Sequence, residues 1–299
     1  MVYMTLSERE IIATLRNTES KALLALDVAL GRVETVQNEI DIPVIVLSVA
    51  DSMPALMKAG YILKGKPHKH SFMRWKDFLK HSDGLSTPLV AVDHEAPAII
   101  VYTSGTTGTA KGVVLNSDAF NAISAQVKLS GKDYHRSETY LDMVPSFLGF
   151  GITMLQLSLC QGLDITLWIE INFDKVAKEF ARLKPNRFIS GPPLVDPIMK
   201  YTHGDMSWMI DFSGGGEAIS FEKESQINDF LREHGSDARY TTAYGMSEFG
   251  SCVCVEQNHI YKQGSVGIPL QKVNISLIAI KIPRKINKFQ GSYREYAPI

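Results

Sequence analysis

Three features of the sequence predict an α/β fold built from stacked, mostly parallel sheets with flanking helices. Short β-branched runs that read as buried strands alternate with amphipathic stretches of helical spacing. That order, strand then helix then strand, continues along most of the chain. Glycine clusters fall directly after strands, which is where open α/β sheets bind ligands. The 299 residues are 45% hydrophobic and 21% charged, an ordinary globular composition that excludes disorder and suffices for one large or two ordinary domains.

The first element is a helix. Thr5-Leu-Ser-Glu8 has capping-box spacing, and Ile11, Ile12 and Leu15 recur helically up to the Asn17-Thr18 break. Lys21 to Asp27 and Pro43 to Ala50 read as buried strands, with Val28 to Gln37 between them of helical character. After a basic, polar stretch from Lys64 to His70, the residues Phe72, Trp75, Phe78 and Leu79 make one amphipathic helical pattern. Ile99 to Tyr102 and Val113 to Leu115 are strands on either side of a glycine-rich turn. Ala119 to Leu129 is helical, Leu141 to Val144 a strand ending at Pro145, and Phe150 to Cys160 an apolar helix. A strand at Leu163 to Ile169 precedes a helix at Asp174 to Leu183, stopped by Lys184-Pro185. Phe188-Ile189 leads into Gly191-Pro-Pro193 and a further helix, followed by a strand at Trp208 to Phe212. Phe221 to His234 is helical, with Gly235 at its stop.

Composition excludes several classes of function. With 31 Lys+Arg against 32 Asp+Glu, the chain as a whole has no electrostatic footprint for nucleic acid or an anionic membrane. The local exception is the end: Lys281, Arg284, Lys285, Lys288 and Arg294 face a single acid, Glu295. No run approaches the ~18 apolar residues of a membrane span, and no signal peptide opens the chain. Cytoplasmic location is therefore the expectation. Cys252-x-Cys254 lacks the spacing of a zinc or redox pair and reads as two side chains of a strand. His68-Lys-His70, without a third ligand nearby, reads as loop residues rather than a metal site.

Tyr102-Thr-Ser-Gly-Thr-Thr-Gly-Thr-Ala-Lys-Gly-Val113 is the most informative stretch. Glycines 105, 108 and 112 let backbone N–H groups converge on one anion. Thr103, Ser104, Thr106, Thr107 and Thr109 add hydroxyls and Lys111 adds a charge, a set suited to a polyphosphate. It is not a Walker A loop, which requires Gly-Lys-Ser/Thr. It joins two strands as a hairpin does, so no helix start stands behind it to capture phosphate. A plain surface hairpin is the alternative reading of the same residues.

Thr103 to Gly112 resembles the phosphate-loop signature of the AMP-forming adenylate superfamily, which includes acyl- and aryl-CoA synthetases, luciferase and peptide-synthetase adenylation domains. Ala110, usually proline there, departs. Four more motifs follow in the family's order: Val144-Pro-Ser-Phe-Leu-Gly-Phe-Gly151 resembles its acyl-pocket segment, Ser213-Gly-Gly-Gly-Glu-Ala-Ile219 its adenine-binding turn, Thr241-Thr-Ala-Tyr-Gly-Met-Ser-Glu248 its Tyr-Gly-x-Thr/Ser-Glu signature, and Gly264-Ser-Val-Gly-Ile-Pro269 its next turn. The fold implied is part of the large N-terminal domain of adenylate-forming enzymes, over residues 1–278.

The resemblance implies attack of a carboxylate on the α-phosphate of ATP, giving acyl-AMP and pyrophosphate, then transfer to a thiol such as coenzyme A or a carrier-protein pantetheine. Joining an anion to a polyanion makes catalysis a matter of positioning and charge neutralisation. Thr103, Ser104, Gly105, Thr106, Thr107 and Gly108 would hold the β- and γ-phosphates, with Lys111 helping pyrophosphate. Glu248 would bind Mg²⁺, for which a carboxylate oxygen is suited. Ser247 would bond the α-phosphate, and Tyr244 would stack on the adenine. Gly215, Gly216, Glu217 and Ala218 would meet its other face, with Gly245 and Met246 completing the nucleotide site. Leu148, Gly149, Gly214 and Thr242 would line the acid pocket. Leu148 stands where many acyl- and aryl-CoA synthetases carry histidine, which with Phe147 and Phe150 suits an apolar acyl or aryl acid, as in fatty acid metabolism.

Family members are much longer. The residues from 279 to 299 show no family pattern, and the ribose-binding aspartate, the hinge and the catalytic lysine of the mobile C-terminal domain lack counterparts. The expectation is a truncated or frame-disrupted member, impaired as an acid–thiol ligase. The alternative is a non-catalytic nucleotide-binding remnant or interaction fragment. A P-loop phosphotransferase is disfavoured by the loop. Small-molecule carboxylic acids are the expected partners, with neither nucleic acid nor a transmembrane segment.

Overall fold

The computed structural model describes residues 6–64, 72–81, 91, 93–103, 111–168, 172–257, 260, 262 and 264–276. The first helix, α1 (Glu8–Asn17), begins at a capping box in which the Glu10 N–H donates to Ser7 Oγ and the Ser7 N–H donates to the Glu10 carboxylate at 2.8 Å. The sequence contains two overlapping Ser/Thr-x-x-Glu frames. The one used lies two residues beyond that read from Thr5, a residue outside the described set.

Three parallel strands follow, β1 (Leu23–Leu26), β2 (Val44–Leu47) and β3 (Met73–Arg74), in spatial order β1-β2-β3. The crossover from β1 to β2 is α2 (Leu30–Gln37), which packs Val33 against Ala25 and Val44. Two more helices, α3 (Ala55–Lys64) and α4 (Trp75–Lys80), complete this unit. The sequence reading did not assign α3, whose apolar residues Leu56, Met57, Ile62 and Leu63 are exposed. The His68-Lys-His70 motif lies outside the described residues.

The glycine-rich turn is carried, as expected, on a hairpin. Strands β4 (Pro97–Thr103) and β5 (Lys111–Asn116) pair antiparallel from Pro97↔Asn116 to Thr103↔Lys111. Val101 and Leu115 seat the hairpin on Phe120 of α5 (Ser117–Leu129) and Ile152 of α6 (Gly149–Gln161).

The largest sheet comprises β6 (Thr139–Asp142), β7 (Asp164–Leu167), β8 (Arg187–Ser190), β9 (Asp211–Gly214), β10 (Tyr240–Gly245), β11 (Cys252–Val255) and β12 (Ile268–Pro269), in the order β12-β11-β10-β9-β8-β6-β7. Strands β10 to β7 are parallel, and β11 and β12 add an antiparallel edge. Both faces are covered, as parallel sheets require. On one face Leu141, Phe188, Phe212 and Tyr240 meet Val176 and Phe180 of α7 (Phe173–Leu183), Ile198 of α8 (Val195–Tyr201) and Ile227 of α9 (Phe221–Glu233). On the other, Tyr140, Cys252 and Val255 meet Val127 of α5 and Leu157 of α6. Cys252 and Cys254 are thus buried strand residues, as their spacing suggests.

One strand is displaced from its sequence position. The reading at Trp208 to Phe212 becomes Asp211–Gly214, because Trp208 lies in a turn with its Nε1 donating to the Asp205 carbonyl at 2.8 Å. No helix among the described residues is long and apolar enough to cross a membrane.

Candidate functional site

From β6 the chain crosses to β7 on one side, then returns to β8 on the other. At such a reversal the two adjacent connections leave in opposite directions, and a crevice opens beyond the carboxyl ends of the strands. The structure has a cleft of about 300 Å³ at this place. Its walls are Met143 to Pro145 after β6, Ser190 and Gly191 at the end of β8, and Gly215 to Glu217 after β9, with Leu148 and Phe150 at the start of α6. Phe150 also borders an inner cavity of about 40 Å³, whose lining includes Met154, Ile189, Gly214, Thr242 and Ala243.

The predicted acid-pocket residues are therefore divided. Leu148 lines the outer cleft, and Gly214 and Thr242 the inner cavity. The Thr242 hydroxyl is turned inward, donating with its own N–H to the buried Glu256 carboxylate at 3.0 and 2.9 Å. Gly149 lines neither space. It packs beside Ser247, and a Cβ there would lie 3.7 Å from Ser247 Oγ. Thr153 Oγ1 bonds the carbonyls of both Gly149 and Gly250 at 2.9 Å, so the start of α6 is clamped to the Ser247–Phe249 turn.

The glycine turn after β9 has a steric cause. The Tyr240 side chain from β10 lies across Gly214, where an added Cβ would come within 1.7 Å of its Oη. Two residues on, Gly216 takes φ +86°, the left-handed region that glycine enters without strain. The register pairs Thr242 with Gly214 at the end of β9, and Tyr244 lies two residues further along β10. The Tyr244 side chain is 49% exposed. Its exposed aromatic face offers a stacking surface for a planar ring.

Glu248 is exposed, with no hydrogen-bond or ion-pair partner among the described residues. It shares a cleft of about 340 Å³ with Glu95, Pro97, Val114, Asn116 and Phe249. That cleft lies toward the open end of the β4–β5 hairpin. Thr103 and Lys111 pair at the other end, where Thr103 Oγ1 meets the Lys111 carbonyl at 3.5 Å. Along β5, Lys111 is roughly 10 Å or more from the Glu248 cleft. The structure thus gathers Leu148, Gly215, Gly216 and Glu217 in one cleft and Ser247 beside it, and leaves Lys111 apart. Ser104, Gly105, Thr106, Thr107 and Gly108 lie outside the described residues. As a test for Mg²⁺, the donor chemistry fits: Glu248 and Glu95 offer hard carboxylate oxygens to one space.

A second group of residues, not anticipated from the sequence, underlies the site. Lys132 Nζ lies 3.0 Å from both oxygens of Asp211, 2.9 Å from Ser213 Oγ and 3.4 Å from Thr241 Oγ1. Arg187 bonds Glu138 at 2.5 Å and Asp211 at 3.3 Å. Burial alone would raise the Asp211 carboxyl; Lys132, Ser213 and Arg187 overcome that and hold it below the usual carboxylate range. These residues brace β9 and β10 just before the glycine turn and Tyr244. The signal was present as Asp211 and Ser213, polar at alternate positions of a buried strand. Asp142, at the carboxyl end of β6, is a further buried acid. Its Oδ1 accepts from the Val144 N–H at 3.2 Å, and burial raises its pKa to about 6.

Known proteins resemble this chain in sequence and in fold. The chain is 23% identical over 281 residues to a long-chain-fatty-acid–CoA ligase of Bacillus subtilis (strain 168), covering 88% of this chain and 49% of that protein. It is 26% identical over 216 residues to a probable 4-coumarate–CoA ligase 3 of Dictyostelium discoideum, covering 67% and 37%. The chain thus spans about half, or less, of these curated relatives. Among solved structures, the anthranilate CoA ligase AuaEII in complex with anthranoyl-AMP superposes with a TM-score of 0.72 at 16% identity, over 90% of this chain and 49% of the other. That last likeness establishes the fold. The pattern of the AMP-binding enzymes matches residues 1–281, and the chain belongs to the AMP-binding enzyme family.

Proposed function

We propose that this chain carries the nucleotide and acid sites of an adenylate-forming acid–thiol ligase. ATP and a carboxylic acid give acyl-AMP and pyrophosphate, and the acyl group then passes to coenzyme A or a carrier-borne pantetheine. The observation that carries the reading is the cleft at the strand-order reversal, with the Gly214–Gly216 turn and the exposed Tyr244 ring at the ends of neighbouring strands. Tyr244 stacks on the adenine and the bare turn admits its other face. Ser247, clamped to the start of α6, stands where the nucleotide and acid sites meet, as an α-phosphate donor must. Glu248 would hold Mg²⁺, which supplies neutralisation of phosphate charge. Thr103 to Gly108 and Lys111 bind the outer phosphates. Met143, Pro145, Leu148 and Phe150 make the acid pocket apolar, which favours an acyl or aryl acid over a charged one.

The test is nucleotide binding by calorimetry together with acid-dependent ATP–pyrophosphate exchange over a panel of apolar acids. Tyr244→Ala is expected to weaken ATP binding about tenfold, the worth of one ring stack. Unchanged ATP affinity in that variant would overturn the adenine assignment. ATP binding without exchange for any acid would favour the non-catalytic nucleotide-binding fragment.

A further inference from the structure

One side chain separates the two apolar spaces of the candidate site. Among the described residues, Phe150 alone borders both the outer cleft and the inner cavity. Its ring crosses from the start of α6 to the turn after β9, where a Cβ added at Gly215 would lie 3.9 Å from the ring tip, Cζ. The local sequence, Gly149-Phe-Gly151, holds it there. A Cβ on Gly149 would lie 3.4 Å from the Gly250 carbonyl oxygen, and one on Gly151 would overlap the Pro145 carbonyl oxygen. Both glycines are thus pressed against backbone, and the Phe150 ring is presented from a fixed first turn.

The space behind the ring presents hydrocarbon. Val127 of α5, Met154 and Leu157 of α6, and Ile189, Ala243 and Val255 of the sheet line it. Two polar residues at its margin are engaged elsewhere: Lys132 with Asp211 and Ser213, and Thr242 with Glu256. An apolar cavity of roughly 150 Å³ admits benzene. The inner cavity, at about 40 Å³, is too small for a ring and suits a narrow chain end. The outer cleft, at about 300 Å³, has room for a ring or a short chain.

We propose that Phe150 is the wall that sets the size of the acid: it confines the substrate to the outer cleft, so that this chain takes a compact apolar acid, a single ring or a short chain, and gains nothing from a longer tail. The inference rests on the acid-activating reading given above and deepens it. Each methylene withdrawn from water strengthens binding about fourfold, so a growing acyl chain gains affinity only until its end meets the ring. Removing the ring joins the two spaces and lets the tail continue between α6 and the sheet.

The experiment is calorimetric titration of the full chain with N-acylsulfamoyl adenosines, stable mimics of acyl-AMP, from acetyl to dodecanoyl in two-carbon steps. For the parent, affinity rises over the shortest members and then levels off. For Phe150→Ala the rise continues for about two further carbons, so the longer members bind about tenfold more tightly than they bind the parent. Phe150→Leu, a milder cut, moves the plateau in the same direction by less, and circular dichroism verifies that each variant is folded. Met154 stands behind the wall. Met154→Ala therefore leaves the parent's plateau in place and extends it only in combination with Phe150→Ala, a dependence that general loosening of the fold does not produce. The same plateau in the parent and both Phe150 variants, a plateau moved by Met154→Ala alone, or an unbroken rise to dodecanoyl in the parent would each overturn the wall while leaving acid activation standing. Failure of every member to bind the parent would overturn the acid-activating reading, and the wall with it.

Discussion

The two parallel sheets of this molecule handle their apolar surface in opposite ways. In the larger, Phe180, Phe188 and Phe212 are fully buried and interlock, the first two rings 4.9 Å apart and edge to face. In the smaller, Leu24, Leu26 and Val28 of the β1 region and most apolar residues of α3 are exposed, and the core reduces to Ala25, Val33, Val44 and their few neighbours. A parallel sheet is stable when helices cover both of its faces. The larger sheet meets that condition within itself, and it is also the sheet with the strand-order reversal and the cleft. Stability and site are thus concentrated in one unit, while the other unit leaves much of its apolar surface exposed among the described residues.

The largest expected effect tests this contrast directly. Phe180→Ala should lower unfolding stability by about 3–5 kcal/mol, while Leu24→Thr should stay within about 0.5 kcal/mol, both measured from urea midpoints. A Leu24→Thr cost of more than about 2 kcal/mol would mean that the small sheet is covered after all, and the comparison would break. Next is the buried brace of the large sheet. Lys132→Met leaves the Asp211 carboxylate short of its principal cation and should cost about 3 kcal/mol. The same variant should bind ATP more weakly once folded, if β9 and β10 position the nucleotide. A variant as stable as the parent would show the brace to be dispensable.

The smallest effect concerns pH. Asp142 has its pKa raised by burial to about 6, above the value it takes when unfolded. The folded state therefore binds the proton more tightly. Stability from this group is highest below the unfolded value, near 4, and falls as pH rises through about 6. Asn cannot ionise but keeps an acceptor for the Val144 N–H. Asp142→Asn should accordingly remove a decline of about 2–3 kcal/mol between pH 4 and 7. An identical pH profile of urea midpoints in parent and variant would contradict it.

The parts of this structure legible in the sequence are those where local chemistry and final environment agree. Strands such as Val44–Leu47, the hairpin around the glycine-rich loop and the helix through Ala119 to Leu129 follow directly from β-branching, glycine and helical spacing. The glycine turn after β9 follows a strand, as the sequence suggested, although that strand begins three residues later than the sequence placed it. What escaped depended on partners distant in sequence. Lys132 and Asp211 are 79 residues apart, and nothing local announces a buried ion pair. Helix α3 was not read from the sequence although its apolar residues recur at helical spacing, and what could not have been read is that they stay exposed. The capping box was misplaced by two residues because two frames of one motif overlap and only packing selects between them.

The polar residues of β9 also govern how the large sheet assembles. Along this strand Asp211 and Ser213 face Lys132, while Phe212 faces Phe180, Phe188 and Tyr240. A slip of one residue in strand pairing reverses every side chain. In the slipped sheet the Asp211 carboxylate would enter an all-aromatic layer and Phe212 would abut an ammonium group. An apolar strand tolerates neighbouring registers with little penalty, whereas this one is charged on one side and aromatic on the other. The buried ion pair thus fixes one register for the large sheet, and with it the placement of the strand ends that carry the ligand cleft.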